Sequence, residues 1–138
     1  FLCDIGKIDE SLQYFDRAAV NPYYEKRSQA MINAGRCLMK KPDPVKAEQY
    51  FRSALKYNAK ESEALYYLAK INYASKRTLT ARGFLTRYFA TGSQSAESLY
   101  LAVLVENAMG DKRMAIRYAR RLKDQYPTSP EASRVKIR

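Results

Sequence analysis

The sequence predicts an all-α fold, a solenoid of stacked helix pairs. Three observations predict it: a fixed spacing of small residues, a helical spacing of the apolar residues that follow them, and cap residues between the stretches. Ala47, Ala81 and Ala115 stand 34 residues apart. Each opens one helix face, with apolar partners four and seven places on: Phe51 and Ala54, Leu85 and Tyr88, Ala119 and Leu122. Upstream of each lies a second amphipathic stretch in the same phase, marked by Met31, Ala34, Gly35 and Leu38, then Leu65, Leu68 and Ala69, then Leu99, Ala102 and Val103. Each period is therefore a helix pair, and a period of this length marks a repeat array.

The elements follow in order, with boundaries good to about two to four residues. The first, about 8–19, repeats the offset pattern through Ser11, Phe15 and Ala18 and ends at Asn21-Pro22. From Ser11 to Ala47 is 36 residues, which places a two-residue insertion in the 21–27 connection and predicts a bulging loop there. A helix over 28–41 precedes Asp43-Pro44, an N-cap followed by a residue preset for the first helical turn, and the next helix runs over 44–58. Helices over 62–76 and 78–90 follow, the second with Thr78 as its expected cap. Gly110-Asp111 separates 96–109 from 112–125 by pairing a C-terminal stop with an N-cap. Tyr126-Pro127 closes that period, and Thr128 or Ser129 before Pro130 starts a capping helix over 129–138. The organisation is one domain: a partial repeat over 1–27, full repeats over 28–61, 62–95 and 96–128, and the cap.

Composition narrows the chemistry. The 138 residues contain no histidine, so imidazole bases, Ser-His or Cys-His nucleophile pairs and His-ligated metals are excluded. Phosphate-loop, dinucleotide and nucleophile-elbow motifs are absent, and the five glycines are scattered. Carboxylate pairs such as Glu61 with Glu63, or Glu97 with Glu106, fall at a helix start or on a face read as solvated. The chain is expected to be no enzyme and to hold no cofactor or metal. Cys3 and Cys37 are too few for a disulfide framework, and they read first as two small buried hydrophobes, with one bridge as the alternative. The nearly apolar run from Leu99 to Val105 is far too short to span a bilayer. Without an initiator Met or a targeting signal, the chain reads as a piece of a longer one.

A 34-residue period with small residues where helices cross matches the tetratricopeptide repeat, a right-handed α-solenoid, although no repeat carries the consensus tryptophan. Such a solenoid offers a concave surface lined by the first helix of each pair. The second, fifth, ninth, twelfth and thirteenth places of those helices are Gln29, Ile32, Arg36, Met39 and Lys40, then Glu63, Tyr66, Lys70, Tyr73 and Ala74, then Glu97, Tyr100, Leu104, Asn107 and Ala108. Of these, Ile32, Arg36, Met39, Lys40, Tyr66, Lys70, Tyr73, Tyr100 and Leu104 make the expected partner-binding groove. It is apolar, aromatic and locally basic, which suits an extended peptide with acidic and apolar side chains.

Charge is strongly positive, 25 Lys+Arg against 14 Asp+Glu, or +11. Six basic residues from Lys112 to Lys123 include a helical stripe of Arg113, Arg117, Arg120 and Arg121. Such a stripe could meet phosphate on nucleic acid or anionic lipid, but with no nucleic-acid motif beside it, it reads first as a solvated face, and no nucleic-acid partner is expected. A general adaptor that grips a carboxylate through Lys and Asn is the alternative function, but Ile32 and Arg36, Tyr66 and Lys70, and Tyr100 and Leu104 occupy the clamp places.

Over nearly its whole length the chain also resembles the PilF/PilW family of type IV pilus biogenesis lipoproteins. The resemblance is carried by Asn21-Pro22-Tyr23-Tyr24-Glu25-Lys26-Arg27, Asn33-Ala34-Gly35-Arg36-Cys37-Leu38 with Lys40-Lys41-Pro42, and Ala47-Glu48-Gln49-Tyr50-Phe51 with Leu55. Ala81-Arg82, Tyr88, Gly92, Ala96-Glu97-Ser98-Leu99 and Leu122-Lys123-Asp124-Gln125-Tyr126-Pro127 continue it. The resemblance implies a periplasmic domain held at the outer membrane by a lipid on a cysteine before Phe1. It further implies a secretin or pilus component as partner, in secretin assembly or in pilus stability. In the oxidising periplasm that the resemblance implies, two free thiols would be mildly unusual, which adds a little weight to the bridge alternative.

Overall fold

The structure is a computed structural model. It describes the backbone of residues 24–40 and 43–136 and the side chains of 28–39 and 43–136. The described residues form seven helices and no strand: α1 Tyr24–Lys40, α2 Pro44–Tyr57, α3 Ser62–Ala74, α4 Thr78–Ala90, α5 Ala96–Ala108, α6 Lys112–Gln125 and α7 Pro130–Arg134. The expected helix over 8–19 lies outside the described residues. So does Asn21 to Tyr23, but the rest of the expected 21–27 loop is helix, because α1 begins at Tyr24. Tyr24-Glu25-Lys26-Arg27 holds no glycine or proline, so the extra residues lengthen the helix.

Most helix starts carry side-chain caps. Asp43 accepts from the Lys46 backbone N–H at 3.1 Å, Asp111 from that of Met114 at 3.1 Å, and Ser129 from that of Ala132 at 3.1 Å. Ser95 and Ser98 cap α5 reciprocally, each side chain accepting from the other's backbone N–H. Thr78 corrects the expectation: it is the first residue of α4, and Arg77 holds the cap position without a side-chain cap bond. Arg77 instead donates Nε to Oδ1 of the fully buried Asn72 at 2.7 Å, which gives that oxygen a partner. Gly110 ends α5 in the left-handed region at φ 81°, and Lys76, one period earlier, takes the same region at φ 63°.

The described residues divide into two compact units between Leu68 and Ala69, a point inside α3. In the first, α1 packs on α2. Ala47, Phe51 and Ala54 are fully buried, as their spacing predicts. The Phe51 ring stacks on Tyr67 at 5.0 Å between centroids. Gly35 also lies close against that ring, for a Cβ there would stand 2.6 Å from it. Cys37 is buried and disulfide-bonded, which corrects its reading as a free hydrophobe. The sequence's other cysteine, Cys3, lies outside the described residues. Ser28, also buried, donates its hydroxyl to Glu61 at 2.8 Å.

In the second unit α5 packs against α4, α6 and α7. Ala96, Leu99, Val103, Ala115, Ala119, Leu122, Ala132 and Val135 form its terminal core, with Phe89, Tyr100, Tyr118 and Tyr126 against it. The capping helix is shorter than expected: α7 ends at Arg134, and Val135 turns extended to bury its side chain in that core. Glu106 is a further correction. Its side chain is 8% exposed rather than solvated, and it accepts from Arg82 Nε at 3.1 Å and Nη2 at 2.5 Å. The Arg82 guanidinium titrates above its ordinary range, chiefly through the Glu106 hydrogen bonds. Tyr118 is likewise held above the ordinary tyrosine range, first by burial and then by the Glu106 charge.

Candidate functional site

The expected groove draws its residues from the first helix of each pair. In α5 the buried residues are Ala96, Ser98, Leu99, Leu101, Ala102, Val103, Val105 and Glu106. What stays accessible is Glu97, Tyr100, Leu104, Asn107 and Ala108, one stripe at helical spacing. In α3 the residues at the same repeat places are Glu63, Tyr66, Lys70, Tyr73 and Ala74, and all five keep exposed or half-buried surface. The helix interior takes Ala64, Leu65, Leu68, Ala69, Ile71 and Asn72. Tyr66 stands edge-on to Tyr67, with centroids 5.3 Å apart. Because Tyr67 is itself stacked on buried Phe51, this side of Tyr66 rests on the core of the first unit, and the residue as a whole is half-buried.

In α1, Arg36 is exposed and Met39 half-buried, and the side chain of Lys40 lies outside the described residues. Ile32 corrects the expectation. At 1% exposure it belongs to the core, where burial of a branched apolar side chain is favourable, and it has no surface to give a partner. Arg36 Nη1 reaches Glu63 Oε2 at 3.5 Å, with each side chain about half exposed. A pair this open contributes only about 0–1 kcal/mol, so either member can change partners at little cost. Glu63, an acid among the basic places, was visible in the repeat register. Its pairing with Arg36 depends on how α1 and α3 lie together and was not.

Tyr100 of the second unit is half-buried against the terminal core, and the Arg134 guanidinium lies 5.8 Å from its ring centroid. Arg134 was not singled out by the repeat register, since it comes from the capping helix. Leu104 is half-buried and Lys70 exposed. The side chains expected to line the groove thus offer tyrosine faces, two aliphatic chains and cations. Among the described residues, no helix is long and apolar enough to cross a membrane.

Stacked helix pairs of this kind define a scaffold suited to protein–protein interaction. The chain belongs to the tetratricopeptide repeat family: one family profile matches residues 3–56 and 46–96, and a second matches residues 97–129. Domains of this family are typically non-catalytic modules that bind protein or peptide partners. The structure is similar to PilF of Pseudomonas aeruginosa, at TM-score 0.77 and 26% identity over 93% of this chain and 58% of that one. It is also similar to PilW, a widely conserved type IV pilus biogenesis factor, at TM-score 0.70 and 26% identity over 93% of this chain and 59% of the other. The chain thus spans less than two thirds of either protein. YrrB, a tetratricopeptide protein with an unusual peptide-binding site, shares the fold at TM-score 0.74 and 16% identity, covering 86% of this chain and 60% of that one. No curated protein matches the chain.

Proposed function

We propose that the chain is a non-catalytic scaffold of type IV pilus biogenesis, of the PilF/PilW kind, acting at the periplasmic face of the outer membrane. It binds a segment of the secretin or of the pilus machinery along the open stripe of its first helices, and so assists secretin assembly or pilus stability. The observation that carries this reading is the likeness to PilF and PilW over 93% of the chain. The chemistry of the stripe supports it. Arg36, Met39, Lys40, Tyr66, Lys70, Tyr73, Tyr100 and Leu104 alternate cations with apolar and aromatic surface, which suits an extended segment bearing acidic and apolar side chains.

The test is affinity capture from detergent-solubilised envelope and from cytosol, with the native chain beside Tyr66→Ala/Lys70→Glu. Tyr66 and Lys70 lie one turn apart on α3, so the pair removes one half-buried aromatic ring and reverses one exposed charge, and circular dichroism of the variant checks that helix content is kept. Recovery of the secretin or pilus components by the native chain alone supports the reading. Recovery of cytosolic proteins only would return the function to a general adaptor.

A further inference from the structure

The outward face of α6 carries an arrangement that the fold itself does not need. Ala115, Ala119 and Leu122 turn the helix's apolar side into the core, and Arg113, Arg117, Arg120 and Arg121 stand exposed on the other side. Arg113 with Arg117 and Arg117 with Arg121 are like charges four apart, and Arg117 with Arg120 are three apart, spacings at which repulsion destabilises a helix. The first turn of α6 holds no acidic residue, and Lys112 and Arg113 there oppose the helix dipole. Among the described residues none of the four arginines pairs with a carboxylate. Asp124, exposed one turn beyond Arg120, makes no ion pair with them either. Residues 112–136 hold eight Lys or Arg against two acids, and residues 69–138 carry +9 of the total +11. A local arrangement that costs stability without an internal counter-charge is the kind of departure that marks a functional surface.

We infer that this face of α6 docks on an anionic, phosphate-bearing lipid surface. Four guanidinium groups spread over about 12 Å of helix axis present their forks to phosphates in the bilayer plane. The face offers nothing to insert, since the helix's apolar residues are occupied by the core, so contact stays at headgroup level. It also lacks what a single strand of nucleic acid requires, a free aromatic platform. Tyr118 is stacked on Phe89 with centroids 5.5 Å apart, and Arg121 lies 5.7 Å from its ring centroid. This inference is independent of what binds the first-helix stripe.

The test is sedimentation of the chain with vesicles of phosphatidylglycerol and phosphatidylcholine in equal parts, against phosphatidylcholine alone. The native chain is expected to bind only the anionic vesicles, and to be released as added salt shortens the screening length. Arg113→Gln/Arg117→Gln/Arg120→Gln/Arg121→Gln should weaken binding about a hundredfold or more, at about fivefold for each charge. The same four positions as lysine should stay within about tenfold of native, because charge is kept. Lys56→Gln/Lys60→Gln/Lys76→Gln/Arg87→Gln removes equal charge elsewhere and should bind as native does. Equal sedimentation with neutral vesicles, or an equal loss in that second set, would overturn the inference. So would tighter binding to a DNA duplex at the same salt through the same four arginines.

Discussion

Replacing Arg82 by leucine would leave Glu106 charged and almost enclosed. The Glu106 side chain is 8% exposed and receives two hydrogen bonds from the guanidinium. Removing one partner of a buried ion pair costs about 3–5 kcal/mol when the survivor keeps its charge. Here the Arg82 side chain is 33% exposed, so water can enter the space it leaves. That places the cost near about 2–3 kcal/mol. At about 2–4 °C per kcal/mol, the melting temperature should fall by about 4–12 °C. Arg82→Leu/Glu106→Leu removes both charges and should lie within about 1 kcal/mol of native, because no unpaired group remains. Urea unfolding followed by far-ultraviolet circular dichroism, extrapolated linearly, measures all three proteins. A cost below about 1 kcal/mol for Arg82→Leu, or an equal cost for the double variant, would refute the reasoning.

Gly35→Ala should destabilise the first unit by about 1–3 kcal/mol, because the new Cβ would meet the ring of the fully buried Phe51, which is stacked on Tyr67; an unchanged urea midpoint would contradict that packing. Lys76→Gly should stabilise by about 1 kcal/mol, since Lys76 holds a positive φ where the following repeat uses Gly110. A lower melting temperature would show that the lysine side chain contributes more than its backbone costs. Tyr118 is held above the ordinary tyrosine value, so the unfolded chain loses this proton first as pH rises. Its contribution is full below about pH 10 and is lost as pH climbs through the higher folded value. Stability should therefore fall more steeply above that point in the native chain than in Tyr118→Phe, as thermal melts across alkaline pH would show.

Much of the fold was legible because a stacked array repeats its local rules. Ala47, Ala81 and Ala115 are buried because one period places each at a crossing, and the Asp43, Asp111 and Ser129 caps need only a short polar side chain before a helix. The misses share a different origin. Thr78 looks like a cap, yet Asn72 draws Arg77 into that place, and Glu106 looks solvated until Arg82, 24 residues earlier, closes on it. Val135 leaves the helical pattern because the terminal core has a place for it. Among the groove candidates, repeat position picked out residues that keep accessible surface on α3 and, separately, on α5, but position within a helix did not foretell the burial of Ile32 or the arrival of Arg134 over Tyr100.

The central claim, that the first-helix stripe meets an envelope partner, is tested most directly by photo-crosslinking in the cell. A photoreactive residue is placed singly at Tyr66, Tyr73 or Leu104, and for comparison at Gln49 or Thr86, exposed positions on second helices. The account predicts adducts with the secretin or a pilus component from the first three positions and none from the other two. Adducts from Gln49 or Thr86 alone would contradict it.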